Sequence, residues 1–332
     1  GHSALCVTSD AYPKGRCYDF GVTDAPDPAA MVLGTLRGEK QFIAVAVDLD
    51  VLVKTFSEQE RDIFRQTIPL DDAHASTLAK SLEDSVEHGD RYAYDPAMDN
   101  CTTELRDRLD AALDKKLSAP GPGTRSSAMS YREIVEEPFS GRILEETVLA
   151  LLVGPVADRH PTPYEALFLP FDLRDAIEAR TGAKAEQVHK RNRGVELRTS
   201  TNVGRGTLVL IGLFLSAIVW AGARKKEPSF TRAVRGVGIV LGLVALGGDA
   251  FAIVATYPWL AHNWVLVLLW PTDVALGWLP ADKLTLYLKT RVGVLLVVGL
   301  ASLVHLVGQP VVAVALFAAL PLGTVYRKTR AR

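Results

Sequence analysis

The stretch GTLVLIGLFLSAIVWAGA, residues 206–223, carries no charge and stops at Arg224-Lys225-Lys226. An apolar helix of this length can cross the ~30 Å hydrocarbon core of a bilayer, whereas a core helix of a soluble domain would show a polar face. The pattern recurs. Gly236 to Thr256 ends at Tyr257-Pro258-Trp259, and Val292 to Gly308 is followed by Pro310 to Val325. A fifth, weaker run from Trp264 to Leu279 contains Pro271 and Asp273, which suits a short span, a broken helix or a re-entrant segment. Residues 201–332 therefore read as an all-α membrane domain of about five spans, at 206–223, 236–256, 264–279, 292–308 and 310–325.

Basic residues orient the spans. Lys and Arg crowd residues 224–235, 283–291 and 327–332, while 257–263 and 308–310 have none. Under the positive-inside rule this alternation places residues 1–200 outside the cytoplasm, with the chain crossing the membrane several times. The segment His189-Lys190-Arg191-Asn192-Arg193 lies on the wrong side for the rule, from which long translocated domains are largely exempt. A basic collar there can hold anionic head groups.

Over all 332 residues, 48% are hydrophobic, 23% are charged and the net charge is −1, which excludes disordered, collagen-like and disulfide-dense classes. That neutrality conceals an asymmetry. Residues 1–200 hold 24 Lys and Arg against 34 Asp and Glu, and residues 201–332 hold 13 against 4. The chain begins Gly1-His2 without an initiator Met or an apolar leader, so an upstream segment is expected.

In the acidic half, His2 to Thr8 and Cys17 to Val22 flank turn residues and read as a hairpin, with Phe42 to Asp48 as a third strand and Val51 to Phe56 as a fourth. Helices are expected over Ser57 to Gln66, over Asp71 to His88 with Ala75, Leu78, Leu82 and Val86 on one face, and from Cys101, where Leu105, Leu109, Leu113 and Leu117 recur. Pro120-Gly121-Pro122-Gly123 breaks the chain, and Tyr131 to about Gly182 is mixed helix and loop. This divides the chain into a core at 1–118, a helical and loop extension at 119–200 and the membrane domain.

The chemistry centres on Asp99-Asn100-Cys101-Thr102-Thr103-Glu104. Asp99 or Asn100 can cap the helix and serve the oxyanion end of a site, leaving Cys101 where unpaired N–H groups favour a thiolate. An acyl-transfer enzyme also needs an imidazole to move the proton, and His2 on the first strand is the best placed. Asp19 follows from parity. If Cys6 faces Cys17, opposed positions sum to 23, so Asp19 faces Ala4 and lies diagonal to His2 on one sheet face. Cys6 and Cys17 then form either a cross-strand disulfide or two buried thiols. In the bland alternative Cys101 is a small buried residue, His2 a frayed end and Asp19 a turn residue.

Several motifs resemble the periplasmic domain of Lnb-type lipoprotein N-acyltransferases: Gly1-His2-Ser3-Ala4-Leu5, Tyr18-Asp19-Phe20-Gly21-Val22, and Tyr94-Asp95 leading into Asn100-Cys101-Thr102-Thr103-Glu104-Leu105-Arg106-Asp107. Gly154-Pro155-Val156-Ala157-Asp158 and Pro163-Tyr164-Glu165-Ala166-Leu167-Phe168-Leu169-Pro170 resemble its later part. The Asn-Cys helix start is also similar to permuted NlpC/P60-like and lecithin-retinol-acyltransferase-like thiol enzymes. The resemblance implies an α+β fold, a permuted papain-like domain followed by the membrane bundle. It implies transfer of a fatty acyl chain from a membrane phospholipid, through a Cys101 thioester with His2 as base, to the amine of a diacylglyceryl-cysteine lipoprotein. Tyr18, Tyr94 and Thr102 would contact substrate. Asp99 departs from the family's common Asn, a change that either residue's capping ability absorbs.

No Gly-rich phosphate loop, zinc-spaced Cys/His set or basic-aromatic surface occurs, so no cofactor, metal or nucleic-acid partner is expected. Two other classes remain: a cysteine peptidase or amidase acting on cell-wall peptides, and a lipid-binding or transport protein with an inactive periplasmic domain. Asp249, Asp273, His262 and His305 lie in or beside spans, where ionisable groups are costly.

Overall fold

The computed structural model describes residues 2–23, 27–122, 129–192, 202–225 and 227–330. Gly1, Gly123, Arg193, Lys226 and Arg332, which figure in the sequence reading, lie outside them. The chain forms two compact units, residues 1–131 with 160–196, and residues 132–159 with 197–332.

The first unit is α+β. It begins with β1 (Ala4–Val7) and β2 (Arg16–Thr23), antiparallel with Cys6 opposite Cys17 and Ala4 opposite Asp19. Cys6 and Cys17 are disulfide-bonded. After α1 (Pro28–Leu36), β3 (Gln41–Asp48) pairs with β2 across a bulge between Asp19 and Val22. The next element is a helix rather than a fourth strand: α2 (Leu49–Glu58) turns Leu49, Leu52, Val53 and Phe56 inward at helical spacing and leaves Val51 55% exposed. The expected helix after Ser57 is replaced by the end of α2 and by β4 (Ile63–Arg65). Then come α3 (Asp72–Glu87), β5 (Arg91–Ala93), which completes the sheet in the order β1-β2-β3-β5, and α4 (Cys101–Ala112).

Asp71 caps α3 through His74 N at 2.8 Å, and α3 buries Leu78 and Leu82. With Tyr18, Phe20 and Ala44 of the sheet and Leu105, Leu109, Leu113 and Leu117 of and after α4, these form the core of this unit.

The chain then passes through α5 (Tyr131–Glu136) and α6 (Ile143–Leu152) and returns to the first unit as α7 (Pro170–Thr181) and β6 (Glu186–His189), which pairs with β4.

The second unit is helical. It contains α8 (Val203–Ala223), α9 (Glu227–Val254), the short α10 (Val265–Leu268), α11 (Ala281–Leu303) and α12 (Val312–Arg330). Three helices, α8, α9 and α11, are long and apolar enough to cross a membrane, and 28%, 28% and 22% of their apolar windows are buried. Most of each helix therefore faces outward with apolar side chains, which suits lipid and not water. This is a membrane protein.

The weak run after Trp264 is broken, as Pro271 dictates: α10 ends, the backbone extends at Leu269 and Trp270, and a 3₁₀ segment covers Pro271–Trp278. It runs antiparallel along α9, with Leu266 beside Gly248, Val274 on Gly242, Asp273 on Gly238 and Gly277 at Arg235. A Cβ on Gly238 or Gly242 would fall 2.6 Å from Asp273 O or 2.7 Å from Val274 N, so these glycines admit the neighbouring backbone. Positions 235 to 248 span about 20 Å of helix.

The break is closed by charge. Arg291 of α11, fully buried, donates to Asp273 at 3.0 and 2.6 Å and to the carbonyl of Leu268 at 2.9 Å, and Tyr287 donates to Asp273 at 2.7 Å. A backbone carbonyl freed at the end of a broken helix thus gains a donor where lipid offers none.

Candidate active site

Cys101 stands at the first position of α4, and the sequence before it explains why a helix starts there. Asn100 is extended, and its Oδ1 accepts from Thr102 N at 2.7 Å and Thr103 N at 3.0 Å, while Thr103 Oγ1 accepts from Asn100 N at 2.7 Å. The reciprocal pair satisfies helix-end donors from both sides. Asn100 Nδ2 donates to the carbonyls of Pro96 at 2.7 Å and Phe168 at 3.2 Å, so its amide is fully engaged in seating the helix. Asp99 makes a bridge with Asp95 and hydrogen-bonds Glu104. Burial, followed by that bond and the charges of Glu104, Asp95 and Asp107, raises its pKa.

His2 reaches the thiol from just before β1. Its Nε2 lies 2.9 Å from Asp19 Oδ2, close enough for an ion pair although not aligned as a linear hydrogen bond, and its ring also hydrogen-bonds Cys101. Asp19 is held in turn: its Oδ1 accepts from Gly21 N at 2.6 Å across the β2 bulge. The imidazole is tilted on Phe56, with centroids 5.1 Å apart.

Electrostatics couple the two groups. Burial disfavours imidazolium, yet the bonds and charges of Asp19 and Cys101 outweigh it and hold His2 up to about 9. Burial likewise opposes a thiolate, but His2, the Ser3 N–H and Thr102 together pull Cys101 below a free thiol. Cys101 is the free cysteine, half-buried beside its partners. A thiolate matched to an imidazolium can attack a carbonyl carbon and return a proton to what leaves.

The other expected contacts divide. Tyr94 stacks on Phe42 at 4.4 Å, and burial, then the charges of Cys101 and Asp95, push its pKa to about 12, so it stands near the thiol. Thr102 is buried with Oγ1 3.2 Å from Ser3 Oγ, which ties α4 to the strand bearing His2. Tyr18 is 2% exposed, and its hydroxyl donates to Glu83 at 2.5 Å, which gives it a packing role. Sequence reasoning assigned nothing to Ser3, Gly21, Phe56 or Phe168. Ser3, Gly21 and Phe168 lie inside the motifs of the family resemblance, and Phe56 carries no such signal. Among the described residues no group of three or more His, Cys, Asp or Glu side chains is arranged to hold a metal ion.

The fold and this geometry define a class: a membrane protein whose α+β domain carries a cysteine at a helix start beside a strand histidine. Residues 1–137 match the family described as the Lnb N-terminal periplasmic domain. No curated protein and no solved structure matches the chain.

Proposed function

We propose that the protein is a membrane-bound lipoprotein N-acyltransferase in which Cys101, His2 and Asp19 do the chemistry. The observation that carries the proposal is the His2–Asp19 ion pair at 2.9 Å, whose imidazole and the Cys101 thiol at the start of α4 each shift the other's pKa. The Cys101 thiolate attacks an ester carbonyl of a phospholipid. The C–O bond breaks, the lysophospholipid oxygen takes the imidazolium proton from His2, and a thioester remains. The amine of a diacylglyceryl-cysteine then attacks the thioester, His2 accepts the ammonium proton, and the amide leaves with the thiolate restored. The backbone N–H of Cys101 supplies an oxyanion donor at the positive end of α4. Asp19 orients the imidazole and stabilises its charge. Tyr94 and Thr102 border the acyl position. The reaction needs no cofactor.

The family match and the apolar helices support this reading, because a reaction between two lipids needs its thiol domain and its membrane anchor on one polypeptide. The core at 1–118 and the extension at 119–200 would face the periplasm of a bacterial inner membrane. Five crossings follow if the broken run along α9 passes from one face to the other, which also leaves the basic segments at 224–235, 283–291 and 327–332 together in the cytoplasm.

With phospholipid but no acceptor, wild-type protein should accumulate a fatty-acyl adduct on Cys101 that neutral hydroxylamine releases. A diacylglyceryl-cysteine peptide with a free amine should discharge it to an amide, and lipoprotein N-termini from cells with and without the protein should differ by one acyl chain in mass spectra. Absence of the adduct, or full activity in Cys101→Ser, would overturn the proposal in favour of a lipid-binding protein. Release of peptide fragments instead would favour the peptidase.

A further inference from the structure

We infer that α6 is an interfacial helix whose exposed apolar face, centred on Leu144 and Val148, lies in the lipid of the bilayer. The inference concerns the second unit alone and is independent of the thiol chemistry. Ile143, Leu144 and Val148 are 56%, 72% and 41% exposed, while Glu146 and Ala150 turn inward. Three large apolar side chains on one short helix form a patch that a water-facing segment would not keep.

The level of α6 is fixed by the ends of membrane helices. Glu146 Oε2 accepts from Gly204 N at 2.9 Å in the first turn of α8, and a Cβ on Gly204 would fall 2.4 Å from the Glu146 carbonyl carbon, so the α6 backbone rests on that turn. Asn263, in the connection after α9, donates to the carbonyl of Leu151 at 2.8 Å. Gln309, between α11 and α12, donates to that of Val153 at 3.0 Å. The start of α8 and two interhelical connections on the same side thus converge on residues 146–153. That is the depth of a head-group boundary, and the neighbour of Asn263 is Trp264, 38% exposed, a residue type that concentrates there.

α6 also packs on a helix whose outward side is apolar. Ala150 packs in the same core as Leu208 of α8, whose outward side carries Leu210 and Phe214, each 66% exposed. A helix with one apolar face, held flat by polar contacts on the other, matches the form of elements that insert at the boundary between head groups and acyl chains.

Nitroxide labels at Leu144→Cys and Val148→Cys, each in the full chain carrying Cys101→Ser with its disulfide intact, test this in vesicles of phosphatidylethanolamine and phosphatidylglycerol. Collision with oxygen and with a water-soluble nickel chelate is read by electron paramagnetic resonance. Phe214→Cys serves as the lipid reference, and Asp114→Cys, whose native side chain is 72% exposed in the first unit, as the water reference. The expected result is an oxygen-to-nickel ratio at both α6 positions several-fold above that at 114 and below that at 214, which lies deeper along α8. A ratio like that at 114 would put the face in water. Suppressed collision with both reagents would put protein over it, and broadening relieved by dilution with unlabelled chains would put a second copy there. Each of these three results overturns the inference. A lipid-like signal at Phe214→Cys in the same preparations establishes that the labelled bundles are folded.

Discussion

A Cβ on residue 21 would fall 2.5 Å from Cε1 and 2.9 Å from Nδ1 of His2, so the imidazole occupies the space that any side chain at Gly21 would need. The β2 bulge and its glycine form the floor on which the ring lies, while Gly21 N fixes the carboxylate beside it. Gly21→Ala should therefore leave the fold intact but displace His2, with activity falling about 10²-fold for a shift near 1 Å. Acyl transfer by the folded variant measures it, with circular dichroism as the control. Wild-type activity would show that the ring is not held by this contact.

The coupled pair sets a pH signature. His2, held up to about 9, stays protonated through neutral pH, and Cys101 ionises below a free thiol. Alkylation of Cys101 by iodoacetamide should already be fast at neutral pH and stay fast above 9. Acyl transfer should fall as pH rises through about 9, because the leaving oxygen loses its proton donor. His2→Ala should raise the thiol pKa and slow alkylation at neutral pH. Asp19→Asn should lower the His2 pKa and move the basic limb of activity downward. Since the His2 pKa is raised above its unfolded value near 6.5, its contribution to stability is complete below that value and is lost as pH climbs through about 9.

Asn100→Ala should cost more than a helix cap alone. Loss of the cap costs about 1 kcal/mol, and the variant also releases the carbonyl of Phe168, 68 residues away, from its donor. A denaturation midpoint lowered together with activity is expected. Asn100→Asp keeps the cap acceptor but not the amide donor, so it should recover only part of the stability.

How much of this was legible follows from sequence separation. Two cysteines in a short hairpin fix an antiparallel register, and with it the Ala4–Asp19 pairing and the neighbourhood of His2, because side-chain direction alternates with period two. The start of α4 was legible because capping is local. The helix at Leu49–Glu58 was not, since Val51, Val53 and Thr55 are β-branched and alternate as a strand would over so short a run, and only the longer spacing from Leu49 separates the periods. Phe168 behind Asn100 was hidden for a different reason, as a carbonyl acceptor has no side-chain signature. The same holds for residues 132–159, whose ties to the helical unit run largely through the backbone groups of Leu151, Val153 and Gly154.

Breaking the buried pair in the second unit should be costly. Asp273→Asn or Arg291→Met leaves one partner in an apolar interior, a loss of about 3–5 kcal/mol. Replacing both with apolar residues should cost less, apart from the orphaned Leu268 carbonyl. Thermal unfolding in detergent of the two single variants and the double variant would expose the difference. A loss in the double variant equal to the sum of the two single losses would mean that the pair carries no coupling.

Alkylation of protein unfolded without reductant should modify one cysteine, Cys101, and three after reduction. Labelling of all three without reductant would remove the covalent link between β1 and β2.

That link lies four residues along β1 from the histidine. Among the described residues β1 is the edge strand of its sheet and pairs with β2 over four residues. Newly made chains in a reducing compartment would carry the nucleophile on a finished helix and the base on a strand free to fray. For the proposed chemistry, oxidation of Cys6 and Cys17 would then act as a licensing step: the Cys101 thiol becomes competent only where the chain's other two cysteines are oxidised.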